Sequence, residues 1–133
     1  MSYLNASVIG IEKCDSLHHV TFECHGHSIS MLSLALPEGI DIGSKVRLAI
    51  KASHVSIAKD MSGRLSFASQ LPVTIGSIVK GELLCYLTLE FFQNTIEAII
   101  LRKTQEEMQL KEKETVTALI QASEISICEV LDD

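Results

Sequence analysis

Five histidines in the first half of the chain carry the most conspicuous chemistry of the sequence. They are His18, His19, His25, His27 and His54. The run Cys24-His25-Gly26-His27 brings a thiol and two imidazoles to one turn, and these groups are ligands for Zn²⁺, Ni²⁺ or Cu. The spacing matches no standard zinc pattern, and adjacent residues of a strand point to opposite faces. We therefore expect no protein-bound metal ion, and histidines that face solvent at the turn.

The four cysteines form no CxxC pair. They are Cys14, Cys24, Cys85 and Cys128. Each stands within a few residues of Val, Leu, Ile or Phe, and the first residues of the chain do not resemble a secretory leader. We therefore expect a cytoplasmic protein with buried free thiols and no disulfide framework.

Motifs of the common enzyme classes do not occur in the sequence: there is no Gly-rich phosphate loop, no GxSxG elbow and no HExxH. Ser53 and His54 are neighbours, but on a strand they would project to opposite sides. The sequence predicts no catalytic residues and no enzyme.

Net charge and aromatic content limit the partners. The net charge is -6, aromatic residues make up 5% and Trp is absent, so neither a phosphate-neutralising surface nor a stacking platform for bases is expected. No apolar stretch approaches the roughly 18 residues of a membrane span. We expect no direct contact with nucleic acid or membrane, although a small local anion site is compatible with an acidic chain.

An internal repeat determines the predicted organisation. The strings Ile50-Lys-Ala-Ser-His-Val-Ser-Ile57 and Ile120-Gln-Ala-Ser-Glu-Ile-Ser-Ile127 lie 70 residues apart. The same offset pairs Phe22 with Phe92, among other apolar residues. We predict two tandem modules, residues 1–60 and 71–133, with a linker over residues 60–70 and an acidic tail, residues 129–133, that frays.

Each module has the pattern of short strands. Val20, Phe22 and Cys24 alternate with polar residues, and Gly26 marks a hairpin. Pro37 limits any helix of the first module to about one turn, whereas residues 103–114 of the second module contain strong helix formers. The predicted fold is mainly β: two tandem OB-like five-stranded barrels, each with a short helix.

Three segments carry a family resemblance. Val46–Ala58 closely resembles the closing strand of the molybdate-binding TOBE module, with its Lys-Ala-Ser or Lys-Ala-Thr. Ile29–Ser33 is similar to the family's Ile-Thr-x-x-Ser, and Gly43–Val46 to its Gly-Asp-Lys-Val turn. The resemblance covers residues 2–59 and, more weakly, 73–128, in a tandem form that looks like the di-domain molbindins.

The resemblance implies a bound molybdate or tungstate. Such a dianion only accepts hydrogen bonds, so its site must offer donors. The implied ligands are Lys51, Ala52, Ser53, Ser30 and Ser33, with Ser123 and Thr104 in the second module. In the family, the Lys-Ala-Ser of one module meets the Thr-x-x-Ser of another, which implies that Lys51 lies opposite Ser30 and Ser33 of a neighbouring module. The histidines would make such a site sensitive to pH.

The chain departs from the family pattern in both modules. The family's opening Ser-Ala-Arg-Asn is expected to be missing from module one, with Ser2 near its Asn, and Ser69-Gln-Leu-Pro72 keeps the Ser but lacks the Arg. Gln121 replaces the Lys, and Leu101 replaces the Thr. We therefore expect weaker or structural sites in module two.

The function implied by the resemblance is storage or buffering of molybdate or tungstate in the cytoplasm by a homo-oligomer, a dimer, trimer or hexamer of modules. One alternative is a sensing module that acts through a molybdate-transporter ATPase or a repressor partner. Another is an OB-like interaction module without anion binding. A winged-helix pattern is missing from the sequence, which disfavours direct DNA binding.

Overall fold

A computed structural model describes residues 1–131 of the chain; Asp132 and Asp133, the end of the predicted second module and of its acidic tail, lie outside the described residues. The strands are β1 (Ser2–Cys14), β2 (Leu17–Cys24), β3 (His27–Ser33), β4 (Lys45–Ile50), β5 (Ser56–Ala58), β6 (Ser69–Lys80), β7 (Leu84–Phe91), β8 (Asn94–Leu101), β9 (Thr115–Ile120) and β10 (Ile125–Leu131). The helical elements are α1 (Arg102–Met108), a first 3-10 turn (Ala52–His54) and a second 3-10 turn (Ala122–Glu124). The mainly β prediction is confirmed.

Alternation of apolar and polar residues forms the strands, as the sequence predicts. Val20, Phe22 and Cys24 of β2 are all buried, while the residues between them are more exposed. Phe22 pairs with Ile29 of β3 across the hairpin, and Gly26 takes a positive φ of 81° in its turn. Glycine adopts this left-handed conformation without steric cost.

The two halves of the chain exchange their last strands. One five-stranded sheet has the order β10-β4-β1-β2-β3 and the other has the order β5-β9-β6-β7-β8. β10 of the second half pairs with β4 of the first, Ile125 opposite Ile50, and β5 of the first half pairs with β9, Ile57 opposite Ala118. One hydrophobic core therefore spans both sheets.

This exchange corrects two details of the predicted organisation. Ser69 and Gln70, expected in the linker, already belong to β6. Residues 129–131 of the tail, expected to fray, are paired with β4 as part of β10. The module boundaries at 1–60 and 71–133 remain a prediction about the repeat, because neither half completes its own sheet.

Strand pairing also corrects the repeat offset. Ser2 lies opposite Ile50 and Ser69 lies opposite Ile120, so Ser2 and Ser69 are equivalent although only 67 residues separate them. The same shorter offset relates Phe22 to Leu89, since these residues pair with Ile29 and Ile96. The offset of 70 holds only after α1, where the second module is longer.

The connection between the third and fourth strands of each module contains that difference. In the second module α1 ends at Met108, and the left-handed backbone of Gln109 (φ 53°, ψ 45°) turns the Gln109 N–H to the carbonyls of Gln105 and Glu106. In the first module the stretch around Pro37 forms turns without a helix, so the helical residues of that module are those of its 3-10 turn. No helix in residues 1–131 is long and apolar enough to cross a membrane.

Candidate functional site

The segment predicted as one closing strand is interrupted by a 3-10 turn in each module. Lys51 keeps an extended backbone (φ -77°, ψ 137°) and accepts a hydrogen bond from the N–H of His54 at 2.9 Å. Gln121 accepts the equivalent bond from Glu124 at 3.0 Å. Ser53 and His54 therefore lie in a turn and not on opposite sides of a strand, as we had expected. The first amides of such a turn have no partner within it.

Each turn packs against the third strand of the other module. The first 3-10 turn lies against β8, and the second lies against β3; we call these contacts the first corner and the second corner. His54 and Glu124, which occupy equivalent positions in the repeat, join the two turns through an Nδ1–Oε2 contact of 2.9 Å. The two corners are therefore held side by side.

An open pocket of about 190 Å³ lies where the two turns meet. Its lining residues are Met1, Ala49, Lys51, His54, Ser123, Glu124, Ile125 and Ser126. Lys51 is exposed, and its ammonium group forms no hydrogen bond or ion pair with any residue of the described chain. Two of the predicted ligands, Lys51 and Ser123, thus share one pocket, and Ala52 and Ser53 follow Lys51 in the first turn.

The other predicted ligands of module one lie on β3. Ser30 is buried (8% exposed); its N–H donates to Ser69 Oγ at 3.1 Å. Ser33 Oγ donates to the carbonyl of Ala35 at 2.6 Å, a local contact. Because β3 packs against the second turn, Ser30 belongs to the second corner and Lys51 to the first. A single chain does not place Lys51 opposite Ser30 and Ser33.

Strand pairing gives an offset of 67 before α1, so the residue equivalent to Ser33 is Ile100. Thr104 lies in α1 and not on β8, so it is not the counterpart of Ser33, and Leu101 is not the counterpart of the family's Thr. The residue equivalent to Ser30 is Glu97, since they lie opposite Thr21 and Thr88.

The two buried serines at the strand starts have matching roles. Ser2 Oγ accepts from the N–H of Glu97 at 2.8 Å, just as Ser69 Oγ accepts from Ser30. Ser2 is therefore the counterpart of Ser69, and our placement of Ser2 near the family's Asn is wrong. Each serine fixes the free edge of the other module's third strand.

Sequence reasoning did not identify Glu12 and His19 as a pair. Glu12 Oε1 lies 2.9 Å from His19 Nδ1, and His19 Nε2 lies 3.2 Å from Ser30 Oγ. The signal was present in the hairpin around Asp15 and Ser16, whose register places Glu12 directly opposite His19. Adjacent strands bring such opposite residues within contact distance.

The histidines at the turn do more than face solvent. His25 is exposed, but its ring stacks on Phe92 with centroids 4.6 Å apart and an interplanar angle of 16°, and His27 meets Phe91 edge-on at 5.7 Å. The hairpin tips of the two modules therefore touch. Within residues 1–131, no three His, Cys, Asp or Glu side chains are grouped so as to hold a metal ion.

The cysteines are free, as predicted, but only half are buried. Cys24 and Cys85 are buried, whereas Cys14 and Cys128 are exposed, which corrects the expectation of four buried thiols. Burial raises the pKa of the Cys24 thiol, with a further contribution from the charge of Glu23. Its Sγ donates to the carbonyl of Asn5 at 3.3 Å, so Cys24 is a packing residue and a poor nucleophile.

Comparisons with known proteins agree with this architecture. Residues 66–127 match the family model of the TOBE domain. A solved structure of the cytoplasmic molybdate-binding protein ModG, with molybdate bound, superposes with a TM-score of 0.88. The alignment has 22% identity and covers 94% of this chain and 93% of that one. None of the curated protein sequences matches the chain significantly.

Proposed function

We propose that the chain is a member of the TOBE-domain family and a binding protein for the tetrahedral oxyanions molybdate and tungstate. The observation that carries the proposal is the pocket shared by Lys51 and Ser123. Lys51 offers a cation without a partner in residues 1–131, and Ser123 offers an exposed hydroxyl. A dianion that only accepts hydrogen bonds is stabilised by such donors, whereas a pocket lined by carboxylates would repel it.

The remaining polar groups of the pocket are compatible with an anion. Glu124 is the acidic side chain of the lining, and its Oε2 is engaged by His54 at 2.9 Å. The start of the first 3-10 turn adds the amides near Ala52 and the hydroxyl of Ser53 to the donors available beside Lys51. Molybdate and tungstate share charge and shape, so the same donors serve both.

The likeness to ModG, which is itself described as cytoplasmic and molybdate-binding, supports a proposal for the cellular role and the assembly. We propose that this chain also acts in the cytoplasm, where it stores or buffers the oxyanion. Lys51 and Ser30 belong to different corners of one chain, so a homo-oligomer in which Lys51 meets Ser30 and Ser33 of another copy would complete the donor set.

Titration calorimetry with molybdate, tungstate and sulfate tests the proposal. Lys51→Gln removes the cation with the residue that the chain itself carries at the equivalent position 121, so the fold should tolerate it. We expect molybdate affinity to fall about tenfold or more, since a hydrogen bond to a charged group contributes about 1.5–3 kcal/mol. Lys103→Gln on α1 makes the same change of charge away from the pocket and should leave the affinity unchanged. Equal losses in both variants, or none in Lys51→Gln, contradict the assigned site.

A further inference from the structure

The outer face of β1, β2 and β3 carries a hydrogen-bonded chain of three side chains that ends at the second corner. Glu12 Oε1 contacts His19 Nδ1 at 2.9 Å, and His19 Nε2 contacts Ser30 Oγ at 3.2 Å. We name these residues the Glu12–His19–Ser30 relay. Ser30 lies on the strand against which the second 3-10 turn packs, so the relay connects an exposed carboxylate to the neighbourhood of Ser123.

The number of hydrogens in the relay determines what Ser30 can offer to an anion. A carboxylate only accepts, so it holds the hydrogen of a neutral imidazole on Nδ1, and Nε2 is then a lone pair. The hydroxyl of Ser30 has one hydrogen and must donate it to that lone pair. Ser30 then presents only lone pairs to its surroundings, and these repel the oxygens of a molybdate ion.

Protonation of the imidazole reverses this arrangement. With hydrogens on both ring nitrogens, His19 donates to Ser30 Oγ and the hydroxyl hydrogen becomes free to point away from the ring. The charge gained by His19 favours a dianion as well. Histidine is the side chain that exchanges protons near neutral pH, so a relay built on it is suited to respond to pH.

We propose, as an extension of the proposed function, that His19 is a positioning residue which allows Ser30 to donate to a bound oxyanion only when the imidazole is protonated. Anion capture at the second corner is therefore coupled to the uptake of one proton. The second module provides an internal contrast, because Val79, Tyr86 and Glu97 occupy the positions equivalent to the relay. The first corner has no such coupling.

Other charged groups surround the relay without entering it. Lys13 and Cys14 of β1 line the same surface hollow as Glu12 and His19. Of the elements that pack against β3, the second 3-10 turn carries Glu124, which contacts His54. β10 carries Cys128 and Glu129, and Glu129 lies 3.6 Å from Arg47. β6 also packs against β3; its charged residue is Lys80, at the opposite end of the strand from Ser69. The acidic groups already have partners, so Glu12 is the carboxylate that orients His19.

The test is calorimetry of the full chain with molybdate between pH 5.5 and 8.5, in pairs of buffers with different ionisation enthalpies, which reports the protons taken up per bound anion. We expect uptake of up to about one proton, with affinity falling about tenfold per pH unit above the imidazole transition.

His19→Tyr, which copies Tyr86 of the second module, should bind without proton uptake. Ser30→Ala should lower the uptake, and Ser30→Thr should restore it by keeping a hydroxyl. His18→Gln, next to the relay, serves as the control with unchanged uptake.

Residue-resolved NMR of the histidine rings gives an independent measurement. Saturating molybdate should shift the titration of His19 to higher pH by one unit for every tenfold fall in affinity seen in the calorimetry, because coupling is reciprocal. Binding without proton uptake, or uptake that persists in His19→Tyr, overturns the relay while the pocket at Lys51 stands. Absence of molybdate binding at every pH overturns the proposed function itself.

Discussion

The two corners share one backbone but differ in charge. At the second corner the third strand presents Ser30, with His19 behind it, whereas at the first corner the equivalent strand presents Glu97, with Tyr86 at the position of His19. The turns differ in the opposite sense, since Lys51 belongs to the first corner and Gln121 to the second. The repeated fold thus conserves hydrogen-bond geometry while it separates the cation from the strand hydroxyl.

This separation explains why one chain gives a pocket between the corners and not two equal sites. The turn that follows Lys51 packs against a strand that carries a carboxylate, and the strand of Ser30 packs against a turn that lacks a cation. The pocket between the turns has no lining residue from β3, so only contacts between copies can bring Lys51 and Ser30 together. The comparison also implies that the halves depend on each other, because each sheet contains a strand from the opposite half.

The largest expected effect tests this interdependence. Phe22→Ala removes a fully buried side chain from the first module and should cost about 3–5 kcal/mol of unfolding free energy. In a Tyr3→Phe background Tyr86 is the remaining tyrosine of a chain without Trp, so its fluorescence reports the second module alone. Because the core is continuous, the urea midpoint seen by Tyr86 should shift as far as the midpoint seen by circular dichroism. A shift confined to half of the circular dichroism signal means that the modules unfold separately.

A smaller effect sharpens the contrast between the corners. Glu97→Ser replaces the carboxylate of the first corner by the residue of the second, next to the turn that contains Lys51. Loss of a repelling charge and gain of a donor should strengthen molybdate binding about tenfold. Calorimetry measures the change, with Glu107→Ser, an exposed acid of α1, as the control of equal charge. Equal gains in both variants would indicate a general effect of net charge and would remove the special role of Glu97.

The sequence predicted the strands and the repeat well, because period-two burial is a local property. Val20 and Phe22 are buried as their alternation indicated. The offset was misjudged because Phe22 and Phe92 are identical residues in different environments: Phe22 is fully buried, whereas Phe92 is 58% exposed on a hairpin tip. Insertion of α1 shifts the numbering after the third strand, and identity of residue type cannot reveal such a shift.

Predictions for the site were limited for a different physical reason. The family pattern identified Lys51 and Ser30, but their distribution between corners depends on which strands pair, and strand exchange has no local signature. The pairing of Glu12 with His19 was accessible, since it follows from the register of the turn at Asp15. The equivalence of Glu97 and Ser30 could not be predicted from the sequence, because the incorrect offset aligned other residues with Ser30.

The smallest expected effect compares the two ion pairs that lie beside the exchanged strands β5 and β10. Lys59 follows β5 and contacts Glu114 at 2.9 Å, with side chains 23% and 25% exposed; its Nζ also donates to Met108 and Gln109 carbonyls at the end of α1. Arg47 of β4 and Glu129 of β10 form the other ion pair, at 3.6 Å, and their side chains are more exposed. Lys59→Met should cost about 1 kcal/mol of unfolding free energy, since a cation also stabilises a helix C-terminus. Arg47→Met should cost about 0.3 kcal/mol.

The stabilisation by the Lys59–Glu114 ion pair should depend on pH in a direction that can be measured. The hydrogen bond from Lys59 lowers the pKa of Glu114, against the opposing effect of its desolvation, and the amide of Lys111 adds to the lowering. A carboxylate whose pKa is lower in the folded state stabilises the fold above its unfolded pKa and loses that contribution as pH falls through the folded pKa. The stability difference between the parent and Glu114→Gln, measured by urea unfolding, should therefore be constant near neutral pH and vanish well below about pH 4. A difference that grows on acidification would mean that Glu114 is held by something other than the charge of Lys59.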